Sequence, residues 1–285
     1  MGFAAAAAGG DSAAANEVVS DTLVFEEVEQ VDSLIADVKI VDYGNDDESY
    51  EMGKSRNYYR AQKLKAVAGK PEAVEFVNQW LTLNAAGKHV EDPVTAERVK
   101  AEYEKLKKEE GVKDVASALK KACKEYLGDE APMDEMGWET GNDLDMEMSV
   151  VWNTEQLLTL RLSGYDYSAG AAHGMPWNFC MTFDLKNLRV LAMDDVLLKN
   201  GRKEVLKMVV AALRDEYSEA IDMMNPASEI DLPGVAPALL PEGLVFNYGA
   251  YEIGAYALGM PEVVIPYSKL RNYLTPEVKE LVGIQ

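Results

Sequence analysis

The sequence predicts an α+β fold in which antiparallel sheets pack against amphipathic helices, divided into two subdomains. Apolar and polar residues alternate near the N-terminus and again in the middle of the chain, a pattern typical of strands. Between these segments, apolar residues recur at helical spacing. We therefore expect an N-terminal strand-and-helix subdomain over residues 22–135 and a second subdomain over residues 140–285.

Composition indicates a folded, acidic protein. The 285 residues are 48% hydrophobic, which is enough for a substantial core without disulfides. The sequence has 49 acidic and 28 basic side chains, which give a formal net charge of −21. A nucleic-acid partner is excluded, because phosphate binding requires clustered lysine and arginine. The charge fits either a solvated acidic surface or a basic partner.

The first segment, residues 1–21, is rich in alanine, glycine and serine. It has neither a basic start nor a long leucine-rich run, so it is not predicted to be an intact signal peptide or a membrane span. We expect a flexible leader. Such a leader fits a tether between an exported domain and a membrane anchor, and equally a cloning remnant.

The first subdomain reads as strands followed by helices. Alternation over residues 22–43 predicts two strands, and the acidic "GNDDESYEMG" after them predicts a loop. Apolar stripes predict that residues 71–127 are helical, with Pro71 in the first turn and Gly128 as a C-cap. The stripes consist of Val74, Val77 and Leu81, then Val99, Tyr103 and Leu106, then Val112, Val115, Leu119, Ala122 and Tyr126.

The second subdomain follows a linker, "LGDEAPMDEMGWETGND". The segments "LDMEMSVVWN", "QLLTLRLSGYDYS" and "WNFCMTFDL" each alternate, which predicts an antiparallel meander. "DLKNLRVL" predicts a tight turn with Asn187 in the turn position. A helical stripe runs from Val205 to Met224, and two short strands then flank a loop rich in glycine and tyrosine.

The two cysteines are expected to be buried free thiols. Cys123 lies in a helical pattern and Cys180 in a strand pattern, and a disulfide would form only if the fold brings them together.

Motifs for catalysis or cofactor binding are weak. No phosphate-binding loop opens a helix after a strand, so no nucleotide cofactor is predicted. The two histidines, His89 and His173, are too far apart in sequence to suggest a metal site. Ser168 and Cys180 flank His173 without an assured orienting acid, so no catalytic residue is assigned. A Glu/Asp pair for glycan hydrolysis stays open as an alternative, since 49 acids guarantee pairs somewhere.

Two separated motifs carry a family resemblance. The segments "YDYSAGAAHG" and "LVFNYGAYEIGAYALGMPEVVIPYSKL" occur in that order around an "FDL" strand, an "LAMDDVL" turn and a long helix. Residues 160–270 thereby resemble the RsiV-like (DUF3298) domain of bacterial envelope proteins, and the segment before them resembles more weakly its DUF4163-like companion domain. The residues shared with the family motifs are Gly170, Ala172, His173, Gly174, Tyr251, Glu252, Ile253, Tyr256, Ala257, Gly259, Val263, Ile265, Pro266 and Tyr267.

Departures from the family pattern fall inside these motifs. Ala171 replaces a glycine, and Ala250 and Ala255 stand where the family tends to have prolines. If position 171 requires a positive φ, alanine costs steric strain there. The loop that contains Tyr251 and Tyr256, which we call the tyrosine loop, also lacks the fixed φ that proline would supply.

Candidate site residues come from the same two motifs. The residues proposed to bind a ligand are His173, Trp177, Tyr251, Glu252 and Tyr256, and those proposed to form structural turns are Gly170, His173, Gly174 and Gly259. His173 is favoured as a turn residue that donates from one ring nitrogen to a backbone carbonyl and accepts a hydrogen bond at the other, which would pin the turn between two strands. Glu252 is favoured as an acceptor for turn amides. Trp177 fits either core packing or an exposed aromatic face.

The resemblance implies a non-enzymatic binding protein of the cell envelope. Its family includes the extracytoplasmic part of an anti-sigma factor that senses lysozyme, and modules attached to peptidoglycan deacetylases. We therefore expect a periplasmic or cell-surface location, with membrane contact only through a lipid anchor outside this sequence. The expected partner is a basic protein of lysozyme type or a peptidoglycan fragment; the alternative is a hydrolase acting on cell-wall glycan.

Overall fold

The computed structural model describes residues 21–42, 49–128 and 141–284. Its helices and its mixed and antiparallel sheets confirm the predicted α+β fold. Predictions for the leader before residue 21 and for the linker over residues 129–140 lie outside the described residues.

Six strands form the main sheet, in the order β1 to β6. Neighbouring strands are antiparallel except β2 and β3, which are parallel, so the predicted meander is present as β3–β6. The bounds are β1 Val24–Asp42, β2 Ser49–Ala68, β3 Asp143–Asn153, β4 Leu157–Tyr167, β5 Met175–Asp184 and β6 Arg189–Val190. The β5–β6 hairpin contains the predicted turn, where Asp184 Oδ1 accepts hydrogen bonds from the backbone N–H of Lys186 and of Asn187.

Two predictions for the N-terminal strands were wrong. Of the residues predicted as two strands, Val24–Asp42 form one continuous strand, and the second half of the predicted acidic loop, residues 49–53, begins β2. The rest of that loop lies outside the described residues. The physical reason is the pairing of β1 with β2, which stays in register from Phe25↔Ala66 to Asp42↔Ser49. Because cross-strand hydrogen bonds continue along this whole length, the strand is not broken where the apolar alternation is interrupted.

Three helices cover one face of this sheet, within the region predicted as helical. They are α1 Pro71–Ala85, α2 Ala96–Glu110 and α3 Val115–Leu127, so the helical region is interrupted twice. Pro71 opens α1 and Gly128, with a φ of 68°, ends α3, as predicted. Phe183 on β5 is fully buried beneath them, with its ring 4.9 Å from that of Trp80 and 6.1 Å from that of Phe76.

The C-terminal elements form a second core around a three-stranded antiparallel sheet. Their bounds are α4 Met193–Val196, α5 Arg202–Glu216, β7 Ala238–Leu239, β8 Gly243–Asn247, β9 Glu262–Pro266, α6 Tyr267–Leu270 and α7 Pro276–Leu281. The two predicted C-terminal strands are present as β8 and β9.

The helix predicted to reach Met224 ends earlier, at Glu216. Residues 218–223 continue as a 3-10 helix with a non-helical Ala220. The chain leaves helical geometry because it pairs with the tyrosine loop: Asn225 N–H donates to Ile253 O at 2.8 Å, and Ala255 N–H donates to Met223 O at 2.9 Å. Helical periodicity in the sequence does not reveal this tertiary pairing.

The second core packs against the face of β4 and β5 opposite the helices. Thr159 Oγ1 donates to Leu239 O at 2.7 Å, and Leu239 N–H donates to Thr182 Oγ1 at 2.9 Å. Strands on both sides of the predicted boundary at 135–140 share the main sheet, whose core extends from Leu23 to Val190. The division into two subdomains stays a prediction.

Both cysteines are buried and free. Burial is the main reason that the pKa of the Cys180 thiol is raised to about 11. Within the described ranges, no helix has the length and apolarity needed to cross a membrane.

Candidate functional site

The two family motifs meet at one surface. The β4–β5 connection, residues 168–174, carries the first, and the loop over residues 249–259 carries the second. The positive φ of the first turn falls on Gly170, at 79°, and Ala171 is not among the positive-φ residues. Alanine at 171 therefore carries none of the steric cost considered above.

Three aromatic side chains come together here, and we call His173, Tyr251 and Tyr256 the aromatic cluster. The ring of His173 stacks on that of Tyr256 with centroids 3.9 Å apart. His173 Nε2 lies 2.8 Å from Tyr251 Oη, and its Nδ1 lies 3.0 Å from Gly174 O. Tyr256 Oη also donates to Gly174 O, at 2.9 Å. Both ring nitrogens of His173 are thus engaged: Nδ1 contacts the backbone within the first motif, and Nε2 joins this motif to the second.

Tyr251 adopts an unusual backbone conformation. Its φ is 68°, a region that bulky residues rarely adopt, and the residue is 52% exposed. A strained residue persists only where its surroundings hold it, and such residues concentrate at functional sites. The bond to His173 supplies part of that support.

Glu252 stabilises the tyrosine loop through hydrogen bonds to the backbone. Its Oε1 accepts from Gly234 N–H at 2.9 Å and its Oε2 accepts from Gly249 N–H at 2.7 Å, which is the turn-amide role favoured from the sequence. Gly259, with a φ of 75°, follows the short 3-10 turn that contains Tyr256. Ala255 has a proline-like φ of −67°, but its N–H donates to Met223 O, a bond that proline would lose.

Trp177 lies apart from the aromatic cluster. It is on β5 opposite Gly164 of β4, and it shares the face of the sheet that carries Phe179 and Phe183. A Cβ added to Gly164 would lie 2.2 Å from Trp177 Cζ2, so the indole packs directly over this glycine. His89 also lies elsewhere, in the α1–α2 connection.

A polar network with no signal in the sequence joins the main sheet to the C-terminal core. Arg161 on β4 donates through Nη1 and Nη2 to Glu262 on β9, at 2.8 and 3.3 Å. Asn247 Nδ2 donates to Glu262 at 2.8 Å, and Asn247 Oδ1 accepts from Cys180 N–H at 3.0 Å. The bond to Glu262 is the main reason that the pKa of Arg161 is raised. Because 101 residues separate Arg161 from Glu262, no local motif signals the pair.

Metal ligation has no candidate in this part of the molecule. Across the described residues, no three His, Cys, Asp or Glu side chains are grouped so that they could hold an ion.

Replacing His173 tests the role of the aromatic cluster in stability. We expect His173→Ala to lower the free energy of unfolding by about 1–3 kcal/mol, because it removes the bond to Tyr251 and the contacts that join two loops. Chemical denaturation measures the change. Unchanged stability combined with lost ligand binding would show that the histidine acts on a ligand instead.

Fold and site define an α+β protein in which an N-terminal helix-covered sheet carries a C-terminal core with a surface aromatic cluster. Residues 197–268 match the model of the DUF3298 family, described as a protein of unknown function. This match confirms, for these residues, the resemblance drawn from the motif around Tyr251 and Tyr256. The resemblance of the preceding segment to a DUF4163-like domain stays a prediction.

Solved structures similar to this chain come from the same family. A DUF3298 family member from Bacteroides fragilis has 21% sequence identity and a TM-score of 0.57, with 92% of this chain and 96% of that chain covered. A DUF3298 family protein from Pseudomonas aeruginosa has 17% identity and a TM-score of 0.45, with 87% and 96% covered. At this identity the Bacteroides structure supports the fold alone. Among curated proteins, none matches the sequence.

Proposed function

We propose that this protein is a non-enzymatic binding protein of the bacterial cell envelope, which recognises a basic protein of lysozyme type through the surface around Tyr251. The observation that carries the proposal is the geometry of Tyr251: its ring is half-exposed, on a positive-φ backbone, with its hydroxyl hydrogen-bonded to His173. Strain retained at an exposed aromatic residue is more readily explained by recognition than by packing.

Preorganisation supports binding at this surface. Tyrosine contributes large contact area at low entropic cost, and residues of this type dominate the energetics of protein interfaces. In the aromatic cluster the rings of Tyr251 and Tyr256 are 5.4 Å apart and both contact His173. A partner would therefore meet rings that are already ordered, and would lose less conformational entropy on binding.

Charge supports a basic partner. A net charge of −21 attracts a cationic protein over distances comparable to the Debye length, and this attraction speeds association at low ionic strength. The family resemblance supplies the lysozyme-type partner and the location outside the cytoplasm, with a lipid anchor as the proposed link to the membrane.

The engagement of Glu252 favours binding over hydrolysis. Both of its oxygens accept backbone hydrogen bonds. The carboxylate nearest the tyrosines in sequence is therefore already engaged in holding the loop. A peptidoglycan fragment stacked on the tyrosine rings is the second ligand to be tested.

Binding of lysozyme to the immobilised protein tests the proposal. We expect saturable binding whose association rate falls as salt is raised, and whose affinity falls about tenfold or more in Tyr251→Ala. Tyr103→Ala is the matched control, because Tyr103 is a partly exposed tyrosine on α2, away from the aromatic cluster.

An equally acidic unrelated protein is the second control, because a highly acidic surface attracts any cationic protein weakly. Binding no stronger than this control, or equal losses in Tyr251→Ala and Tyr103→Ala, would overturn the proposal. Saturable binding of peptidoglycan fragments without lysozyme binding would favour the glycan ligand, and release of glycan fragments would favour the hydrolase alternative.

A further inference from the structure

A cleft of about 380 Å³ lies between the α1–α2 connection and the helix-side face of the main sheet. This volume is within the range of small-molecule sites. Its apolar lining comes from α1, from β4 to β6 and from the segment after β6, and residues 234–236 close one side. The apolar residues include Trp80, Phe179, Met181 and Val235.

The walls are held by backbone hydrogen bonds. Val190 N–H donates to Val94 O and Ala96 N–H donates to Leu188 O, both at 2.9 Å, so the α1–α2 connection is joined to the β6 hairpin. On the opposite side, Gly234 is bound by the carboxylate of Glu252. The cleft is therefore preformed, which lowers the cost of binding.

Side chains with hydrogen-bond donors lie at one end of the cleft. Lys88 and His89 are exposed there, and Asn84 lies beside them. Lys88 pairs with Glu110 at 2.8 Å, and Glu110 also pairs with Lys121, which pairs with Glu125, so the charges of these four side chains balance. Asp92 is the carboxylate in the lining of the cleft.

Behind this end lies a buried lysine. Lys63 on β2 is only 5% exposed, and its ammonium donates to Asn84 Oδ1 at 3.1 Å. Burial lowers the pKa of Lys63 to about 8, and that value still leaves it mostly protonated at neutral pH. With Oδ1 accepting from Lys63, Asn84 retains its Nδ2 group as a donor. Asn84, Lys88 and His89 thus offer donors at the same end of an apolar cleft.

We propose that this cleft binds a small amphipathic anion, with the apolar body on Trp80, Phe179 and Met181 and the anionic head at Asn84, Lys88 and His89. The division between apolar lining and polar end matches the two parts of such a ligand. The lining of this site includes no residue of the aromatic cluster, and the proposal does not depend on the function proposed above.

Calorimetry with decanoate, below its micelle concentration, tests the site. We expect one binding site per chain, and about tenfold weaker binding of the neutral analogue decanol, because decanol lacks the charge-assisted hydrogen bonds. Val235→Trp should weaken both ligands about tenfold or more by filling the cleft from its rim. Val235 is 36% exposed, so the larger ring can be accommodated without disturbing the core.

Head-group variants provide a second, independent test. Lys88→Gln and His89→Gln should weaken decanoate binding and leave decanol binding unchanged, whereas Lys203→Gln, an exposed lysine on α5, should change neither. Thermal melting confirms that each variant is folded. Absence of saturable decanoate binding, equal affinities for decanoate and decanol, or binding that survives both Val235→Trp and the head-group variants would overturn the proposal.

Discussion

Phe183→Ala should lower the free energy of unfolding by about 3–5 kcal/mol, the usual cost of deleting a fully buried aromatic side chain. Phe183 has no exposed surface, and its ring packs edge-on against Trp80 and Phe76 of α1. Because it lies between the sheet and the helices, its removal leaves a cavity that neither layer can close alone. Equilibrium denaturation monitored by circular dichroism measures the loss.

Phe179→Ala is the matched control for this prediction. Phe179 lies on the same face of β5 but is only partly buried, so its removal should cost clearly less. Equal losses at both positions would contradict the assignment of Phe183 as the contact that joins sheet and helices.

Gly164→Val should cost about 3 kcal/mol, at the upper end of the usual range for overpacking. A Cβ at this position would lie 2.2 Å from Trp177 Cζ2 and 2.5 Å from the backbone oxygen of Asp145. The indole can rotate away, but the oxygen belongs to the paired strand β3, so the strands must separate. Thermal and chemical denaturation measure the loss.

Two further variants separate the obstacles at Gly164. Ser163→Val, one residue away on the opposite face of β4, should change stability by less than about 1 kcal/mol. Trp177→Ala combined with Gly164→Val should recover only part of the loss, because the Asp145 oxygen remains. A complete recovery would show that the indole alone excludes a side chain from position 164.

Local sequence patterns predict the secondary structure of a segment correctly where that structure depends on the segment's own residues. The helical stripes, Pro71 at the start of α1 and Gly128 at the end of α3 have local causes, namely periodicity, a fixed proline φ and a positive glycine φ. Alternation predicted the meander because each strand buries one face against the helices. The same patterns misjudged the end of α5, which depends on pairing with residues 253–255.

The candidate site was predictable in part. Its residues came from two motifs, and the structure places His173, Tyr251 and Tyr256 together although 78 residues separate the first two. Trp177 is close to His173 in sequence, and proximity alone predicts that it belongs to the same site. Because side chains alternate along a strand, however, Trp177 lies on the helix-side face of the sheet. The cleft could not be predicted, because its lining comes from segments that are distant in the chain and carry no shared motif.

The α+β class, most of the helices and strands, and the motif around Tyr251 and Tyr256 that lies in the DUF3298 match follow from the sequence alone. These features depend on local periodicity and on residues with restricted or permissive backbones. Three other features depend on contacts in the folded chain: β1 and β2 form one long pair joined in parallel to β3, Arg161 pairs with Glu262, and a cleft opens beside Trp80. Such contacts join residues far apart in the chain, and their energies depend on distances that exist only after the chain has folded.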